Sequence, residues 1–170
     1  DVTLFDKGTP LRTLLPTGGG RCNLAHAEYD FKDLAKNYPR GEKFLYSVFS
    51  KFSTYDTLAL FDELGVETYT QENERIFPTS NSAKDVREKI LNSLKDVQIQ
   101  REEVVEVERI DGEFKVISTK DPSPPTTALC RQSILQQGAR GTRTCEYLFS
   151  HIIVAIGGHS KFDFLKNFYI

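Results

Sequence analysis

A strand-length apolar run that ends in an acid, followed by three consecutive glycines and an arginine, narrows the folds open to this chain more than any other feature. The run is Val2-Thr3-Leu4-Phe5-Asp6, and the glycines lie in Thr17-Gly18-Gly19-Gly20-Arg21-Cys22-Asn23. Glycine puts no Cβ between its main-chain N–H groups and a ligand, and it reaches left-handed conformations at little cost. Successive N–H dipoles can then form a concave nest for a phosphate or pyrophosphate. Arg21 adds a planar, permanently charged fork matched to phosphate oxygens. A carboxylate at the end of a strand, as at Asp6, accepts hydrogen bonds from ribose hydroxyls in dinucleotide-binding sheets. Together the acid and the glycine loop point to a nucleotide cofactor.

The periodicity downstream supports an α/β architecture. Phe31–Asn37 reads as a short helix closed before Pro39. Glu42–Phe52 reads as a helix carrying Phe44, Leu45, Val48, Phe49 and Phe52 at helical spacing. Ser53 or Thr54 caps the next helix, which ends at Gly65. Val66–Thr70 and Arg75–Phe77 read as short strands around a polar turn. Ser82 caps a helix to about Leu94, with Asp85 in the capping-box position and Val86, Ile90, Leu91 and Leu94 as the buried stripe. Val97–Gln100 follows a helix and is a candidate parallel strand. Val104–Ile110 and Glu113–Ser118 flank Asp111-Gly112, the favoured chemistry of a tight hairpin turn. Tyr147–Ile156 is an apolar run suited to a fully buried central strand. Residues 119–146 are rich in Pro, Thr, Gln, Arg and Gly without periodicity, and read as a loop or disordered insertion.

Taken in order, several of these segments resemble one family. They are Val2-Thr3-Leu4-Phe5-Asp6-Lys7, Leu14-Leu15-Pro16-Thr17-Gly18-Gly19-Gly20-Arg21-Cys22-Asn23-Leu24, Phe44-Leu45-Tyr46-Ser47, Arg75-Ile76-Phe77-Pro78, Ser82-Ala83-Lys84-Asp85-Val86 and Ala155-Ile156-Gly157-Gly158. The set resembles the YhiN-like (aminoacetone-oxidase-type, BaiN-like) FAD-binding flavoproteins over roughly residues 1–118 and 147–160. The resemblance implies a doubly wound α/β domain of the glutathione-reductase-type Rossmann class, with a β-hairpin excursion. It implies FAD as cofactor, NAD(P)H as a possible reductant and a small-molecule substrate of unspecified chemistry. The cofactor-binding positions it implies are Asp6, Lys7, Thr17, Gly18, Gly19, Gly20, Arg21, Cys22, Asn23, Val105, Ala155, Gly157 and Gly158; it designates no catalytic residue. Val105 matches the position whose backbone meets the adenine ring. Ile156 stands where the related strand end carries Thr, which removes one hydroxyl. In such folds a strand and a G-x-G-x-x-G turn precede the acid by about 20 residues. With the acid at residue 6, residues 1–170 are expected to be an incomplete FAD-binding domain. The expected function is that of a fragment of an FAD-dependent oxidoreductase. The competing expectation is a nucleotide-binding or interaction module without chemistry of its own.

Each candidate also has a plainer reading. Lys7 can be a surface charge. Asn23 can cap the following segment or bond cofactor oxygens. Arg21 beside Cys22 favours a thiolate, yet no CxxC partner exists, and a small residue packed near a cofactor explains Cys22 as well. Phe44, Phe49, Phe52 and Phe61 fall at helical spacing and are expected in the core, not on a base-stacking platform. Arg75 and Pro78 are expected to form a structural turn. His26, His151 and His159 lack metal-ligand spacing. The net charge of −2, without a basic stripe, gives no case for nucleic acid or an anionic membrane. No apolar run approaches the roughly 20 residues of a spanning helix. Three cysteines without paired spacing fit a reduced, cytoplasmic protein.

Overall fold

The computed structural model describes residues 1–120 and 143–156. These residues form two compact units: one built from residues 1–10, 96–120 and 143–156, the other from Leu11–Lys95.

In the first unit, β1 (Val2–Phe5) pairs in parallel with β5 (Val97–Gln100), in register from Val2 opposite Val97 to Phe5 opposite Gln100. The candidate parallel strand is therefore parallel, and Asp6 sits at the carboxyl end of its neighbour. β6 (Glu103–Ile110) and β7 (Glu113–Lys120) form the expected hairpin. Asp111 and Gly112 both have positive φ, 50° and 88°, the pattern of the tight turn whose twist matches that of the strands.

β8 (Arg143–Phe149) adds antiparallel to β7, giving a three-stranded sheet ordered β6-β7-β8. This corrects two expectations. The segment 119–146 is strand at both ends, since Thr119 and Lys120 close β7 and Arg143–Glu146 open β8; 121–142 lies outside the described residues. The apolar run Tyr147–Ile156 is not a buried central strand: only Tyr147–Phe149 is strand, and Ile153 is 92% exposed. The cause is pairing. Cys145, Tyr147 and Phe149 lie opposite Ser118, Val116 and Phe114, so a period-2 alternation suited to the inner face of β7 outweighs the longer apolar run. That face meets Phe5, whose ring stands edge-on to Tyr147 and Phe149 at 5.0 and 6.0 Å between centroids.

The second unit holds four helices and a small sheet. α1 (Phe31–Lys36), α2 (Glu42–Phe49), α3 (Thr54–Glu63) and α4 (Ala83–Ser93) match the expected helices, α2 ending a turn early. The sheet is ordered β2-β4-β3, with β2 (Ala25–His26), β3 (Thr68–Thr70) and β4 (Arg75–Pro78) all antiparallel. Arg75 and Pro78 thus belong to a strand, not a turn. The core joins Cys22, Val66, Ala83 and Val86, with Leu14, Leu24, Phe61, Leu64 and Ile90 packed against it. Three of the four phenylalanines expected there are outside it: Phe49 is half-buried against Tyr38 instead, and Phe44 is 72% and Phe52 50% exposed. α2 packs on α1 through Tyr46 and Phe49, which meet Phe31 and Tyr38. That contact covers one face and leaves the stripe of Phe44, Val48 and Phe52 open.

Helix starts follow local chemistry. Ser82 Oγ accepts from the Asp85 N–H (3.3 Å). Asp56 Oδ2 accepts from the Ser53 N–H and hydroxyl, both at 2.7 Å. Asp30 Oδ1 accepts from the N–H groups of Asp33 (3.0 Å) and Lys32 (2.8 Å). The Asp33 and Lys32 bonds hold the Asp30 carboxyl below the usual aspartate range, and the Ser53 backbone and hydroxyl do the same for Asp56. A carboxyl depressed on folding stabilises fully above its unfolded pKa, and that stability is lost as pH falls through the folded value. Asp30→Ala is therefore expected to unfold at lower temperature than wild type at pH 7. The two should converge as pH drops below about 4; a gap in thermal midpoint that persists at low pH would show that the ionised cap is not the source.

Among the described residues no helix is long and apolar enough to cross a membrane.

Candidate functional site

The glycine loop lies in the second unit. Gly18, Gly19 and Gly20 have φ of 56°, 69° and 86°, Arg21 returns to −96°, and Cys22 swings to 65°. From Gly20 to Cys22 the sign of φ alternates, the backbone pattern that turns successive N–H groups toward one point. The point is already filled. The Arg21 and Cys22 N–H groups both donate to Thr17 O, the latter at 3.0 Å. The nest expected for a pyrophosphate is thus closed on the chain's own carbonyl. Thr17 is fastened in turn by its hydroxyl, which donates to Leu14 O at 2.5 Å.

The three glycines differ in what requires them. A Cβ on Gly18 would lie 2.7 Å from Phe77 Cε1 and 2.8 Å from Asn23 N, so packing within the protein excludes any side chain. A Cβ on Gly19 would meet nothing within 4 Å, and one on Gly20 would reach only Leu15 O at 3.9 Å. Close approach of a ligand is therefore possible along Gly19 and Gly20, while Gly18 is structural.

Arg21 lies over a ring that the sequence did not reveal. Its guanidinium carbon is 4.2 Å from the Phe77 ring centroid, and Nε donates to Gly18 O at 3.2 Å. A cation–π contact and one hydrogen bond hold the group in place. It makes no ion pair with an acid among the described residues, so its outer N–H groups remain suited to an anion. Asn23 turns inward: with its amide nitrogen facing the sheet, it donates to Ala25 O (3.1 Å) and Ile76 O (3.2 Å). That satisfies backbone groups, as a cap would. Cys22 is 1% exposed, and burial raises its thiol pKa, with the Thr17 side chain offsetting part of the rise. It is a packed thiol and not a thiolate.

The other candidates lie in the first unit. The Asp6 N–H donates to Gln100 O (3.0 Å), continuing the β1–β5 ladder. Its Oδ1 accepts from the Gly8 N–H at 2.7 Å, which fixes the carboxylate and leaves Oδ2 as an acceptor. Lys7 pairs with Glu103 at 3.2 Å, with both side chains exposed, and so ties the end of β1 to the start of β6. Val105 is neither buried nor laddered. The register shifts between Val104 opposite Ser118 and Glu106 opposite Ile117, so Val105 is the extra residue of a β-bulge and is 43% exposed. A bulge leaves the extra residue out of the ladder. Its main chain carries one N–H donor and one C=O acceptor. Ala155 is exposed in an irregular segment, and Gly157 and Gly158 fall outside the described residues.

A parallel strand pair ending in a held acid, a glycine loop with an open face and an anion-ready arginine are features of a dinucleotide-binding domain. Residues 1–145 match the family model described as the HI0933-like protein Rossmann domain. The chain belongs to this family. It is a family of FAD-binding flavoproteins, and membership makes FAD the dinucleotide that the HI0933-like Rossmann fold accounts for. Within that fold, Thr17 O accepts from the loop's own N–H groups, Gly18 packs against Phe77, the Asn23 amide bonds backbone carbonyls, and Phe77 lies beneath Arg21. Phe77 sits in the strand Arg75–Pro78, a segment that carries the family resemblance but assigns no role to this ring.

Proposed function

We propose that this chain holds FAD for an oxidation–reduction reaction on a small molecule, as in the YhiN-like, aminoacetone-oxidase-type enzymes it resembles, with NAD(P)H as a reductant. The observation that carries this reading is the parallel β1–β5 pair, which sets Asp6 at the carboxyl end of a strand inside a sequence that matches the HI0933-like Rossmann family. In each unit, taken by itself, the donors and acceptors suit one part of the dinucleotide. Asp6 Oδ2 accepts from a ribose hydroxyl, while Gly8 keeps the carboxylate from rotating. The Gly19–Gly20 face admits phosphate oxygens at close range, and the outer N–H groups of Arg21 neutralise them. The Val105 main chain meets the adenine edge. Bound FAD supplies the hydride and electron chemistry; the residues named here bind and orient it.

Asp6→Ala is expected to weaken FAD binding by about tenfold or more, the scale of a hydrogen bond to a charged acceptor. Titration of protein into FAD, followed by flavin fluorescence, reads the change. An unchanged dissociation constant would remove Asp6 from the site and with it the ribose assignment.

A further inference from the structure

β6 carries a degeneracy in sequence that its register resolves. Past the bulge, Glu106 lies opposite Ile117 and Val107 opposite Val116. Continued without a bulge, that ladder would place Val105 opposite Ser118, Val104 opposite Thr119 and Glu103 opposite Lys120. The observed partners are Val104 with Ser118 and Glu103 with Thr119, which brings Glu102 level with Lys120. In either register a valine faces Ser118 and a glutamate faces Lys120, because each residue type is doubled in Glu102-Glu103-Val104-Val105. Hydrophobic alternation, which ordinarily fixes register, does not choose between them.

The registers differ in what they do with Val105. In the bulged one its main chain stays out of the ladder; in the regular one it is paired and its side chain faces inward. The buried acid marks the choice that is made. Glu102 is 4% exposed, although the residues on either side of it are solvent-exposed. Its Oε2 accepts from the Ser118 hydroxyl at 2.5 Å and the Tyr147 hydroxyl at 2.9 Å, and Lys120 Nζ lies 4.0 Å from Oε1. Ser118 is fully buried, so its hydroxyl needs an acceptor wherever the strand settles. Glu102 thus bonds β7 and β8 at the level of the bulge, while Glu103 faces solvent and pairs with Lys7.

We propose that Glu102 is a positioning residue: its carboxylate holds β6 in the bulged register and so keeps the Val105 main chain free for the nucleotide. The consequence for binding rests on the FAD reading above; the register itself does not. Removing Glu102 leaves Glu103 as the only acid able to satisfy Ser118 and Tyr147 from β6, and it does so by slipping the strand one residue and erasing the bulge. Removing Glu103 leaves the bulge in place.

The test compares Glu102→Ala, Glu103→Ala and Glu102→Gln with the wild-type chain by NMR without ligand, reading cross-strand contacts between β6 and β7 and hydrogen exchange at Val105. Wild type, Glu103→Ala and Glu102→Gln are expected to keep Val104 opposite Ser118 and a fast-exchanging Val105 amide. Glu102→Ala is expected to place Val105 opposite Ser118 and to slow exchange there by about tenfold or more. Partial unfolding would move exchange the other way. Val104 remaining opposite Ser118 in Glu102→Ala would overturn the proposal, as would general loss of β6–β7 contacts, which would make Glu102 a structural residue only. FAD titration then separates the two claims: Glu102→Ala is expected to bind more weakly than Glu103→Ala. A slipped register with equal affinities would overturn the positioning role, whereas failure of the FAD reading is judged independently by Asp6→Ala.

Discussion

Replacing Gly18 with alanine is expected to destabilise the second unit by about 2–4 kcal/mol, from left-handed backbone strain plus overpacking. The added Cβ would enter at 2.7 Å from the Phe77 ring edge and 2.8 Å from the Asn23 backbone nitrogen. Neither neighbour can give way cheaply. Phe77 is 1% exposed in a strand paired on both sides, and Asn23 precedes the Leu24 N–H that donates to Ile76 O at 2.8 Å. Gly19→Ala is the control. It has the same backbone strain, with φ of 69°, but open space around the new methyl, so a loss of only about 1–2 kcal/mol is expected. Urea unfolding of the two variants checks the difference, and equal losses would show that the Gly18 contact is not what requires glycine. Gly19→Ala also asks the functional question: if phosphate lies along the open face, its FAD affinity falls further than its stability does.

Phe77→Ala is expected to cost about 3–5 kcal/mol, the range for deleting a buried aromatic ring. Among the described residues Phe77 is the largest of the fully buried side chains. It also touches two parts of the loop at once, as the wall against Gly18 and the platform for Arg21. Phe77→Leu keeps most of the volume and removes the π face, so it should be the milder change, about 1 kcal/mol. If Arg21 owes its placement to the ring, Phe77→Leu will weaken FAD binding more than its stability loss accounts for. A loss below about 1.5 kcal/mol for Phe77→Ala would mean that the surroundings collapse into the vacated space.

The helix starts show where local chemistry suffices. Ser82 with Asp85, and Ser53 with Asp56, were legible because a cap acts over three residues. The Asp111-Gly112 turn was legible for the same reason, since its two positive φ values restrict the residues that can occupy it. That Val97–Gln100 is a parallel strand was legible from the order of strand, helices and strand; that it pairs directly with β1 was not.

The failures share the opposite character. Phe44 and Phe52 have helical spacing, but spacing says only that they share a face; which face α2 turns to α1 depends on Phe31 and Tyr38, outside that helix. Tyr147–Ile156 is apolar enough for a central strand, yet its ladder partner is β7 and the pairing stops at Phe149. Three glycines and an arginine read as an anion nest, and the alternation of backbone hand is there; what fills it is Thr17 O.

By itself, then, the sequence determined the four helices and their caps, the hairpin turn, the acid at the end of a strand and the glycine loop of an FAD-binding family, because each is written in residues near one another in the chain. Only the tertiary structure decided that Gly18 serves Phe77, that Arg21 lies on that ring, and that Val105 stands out of its ladder while Glu102 is buried. Those outcomes are set by competition among contacts between strands and loops far apart in sequence, and no local pattern records which contact wins.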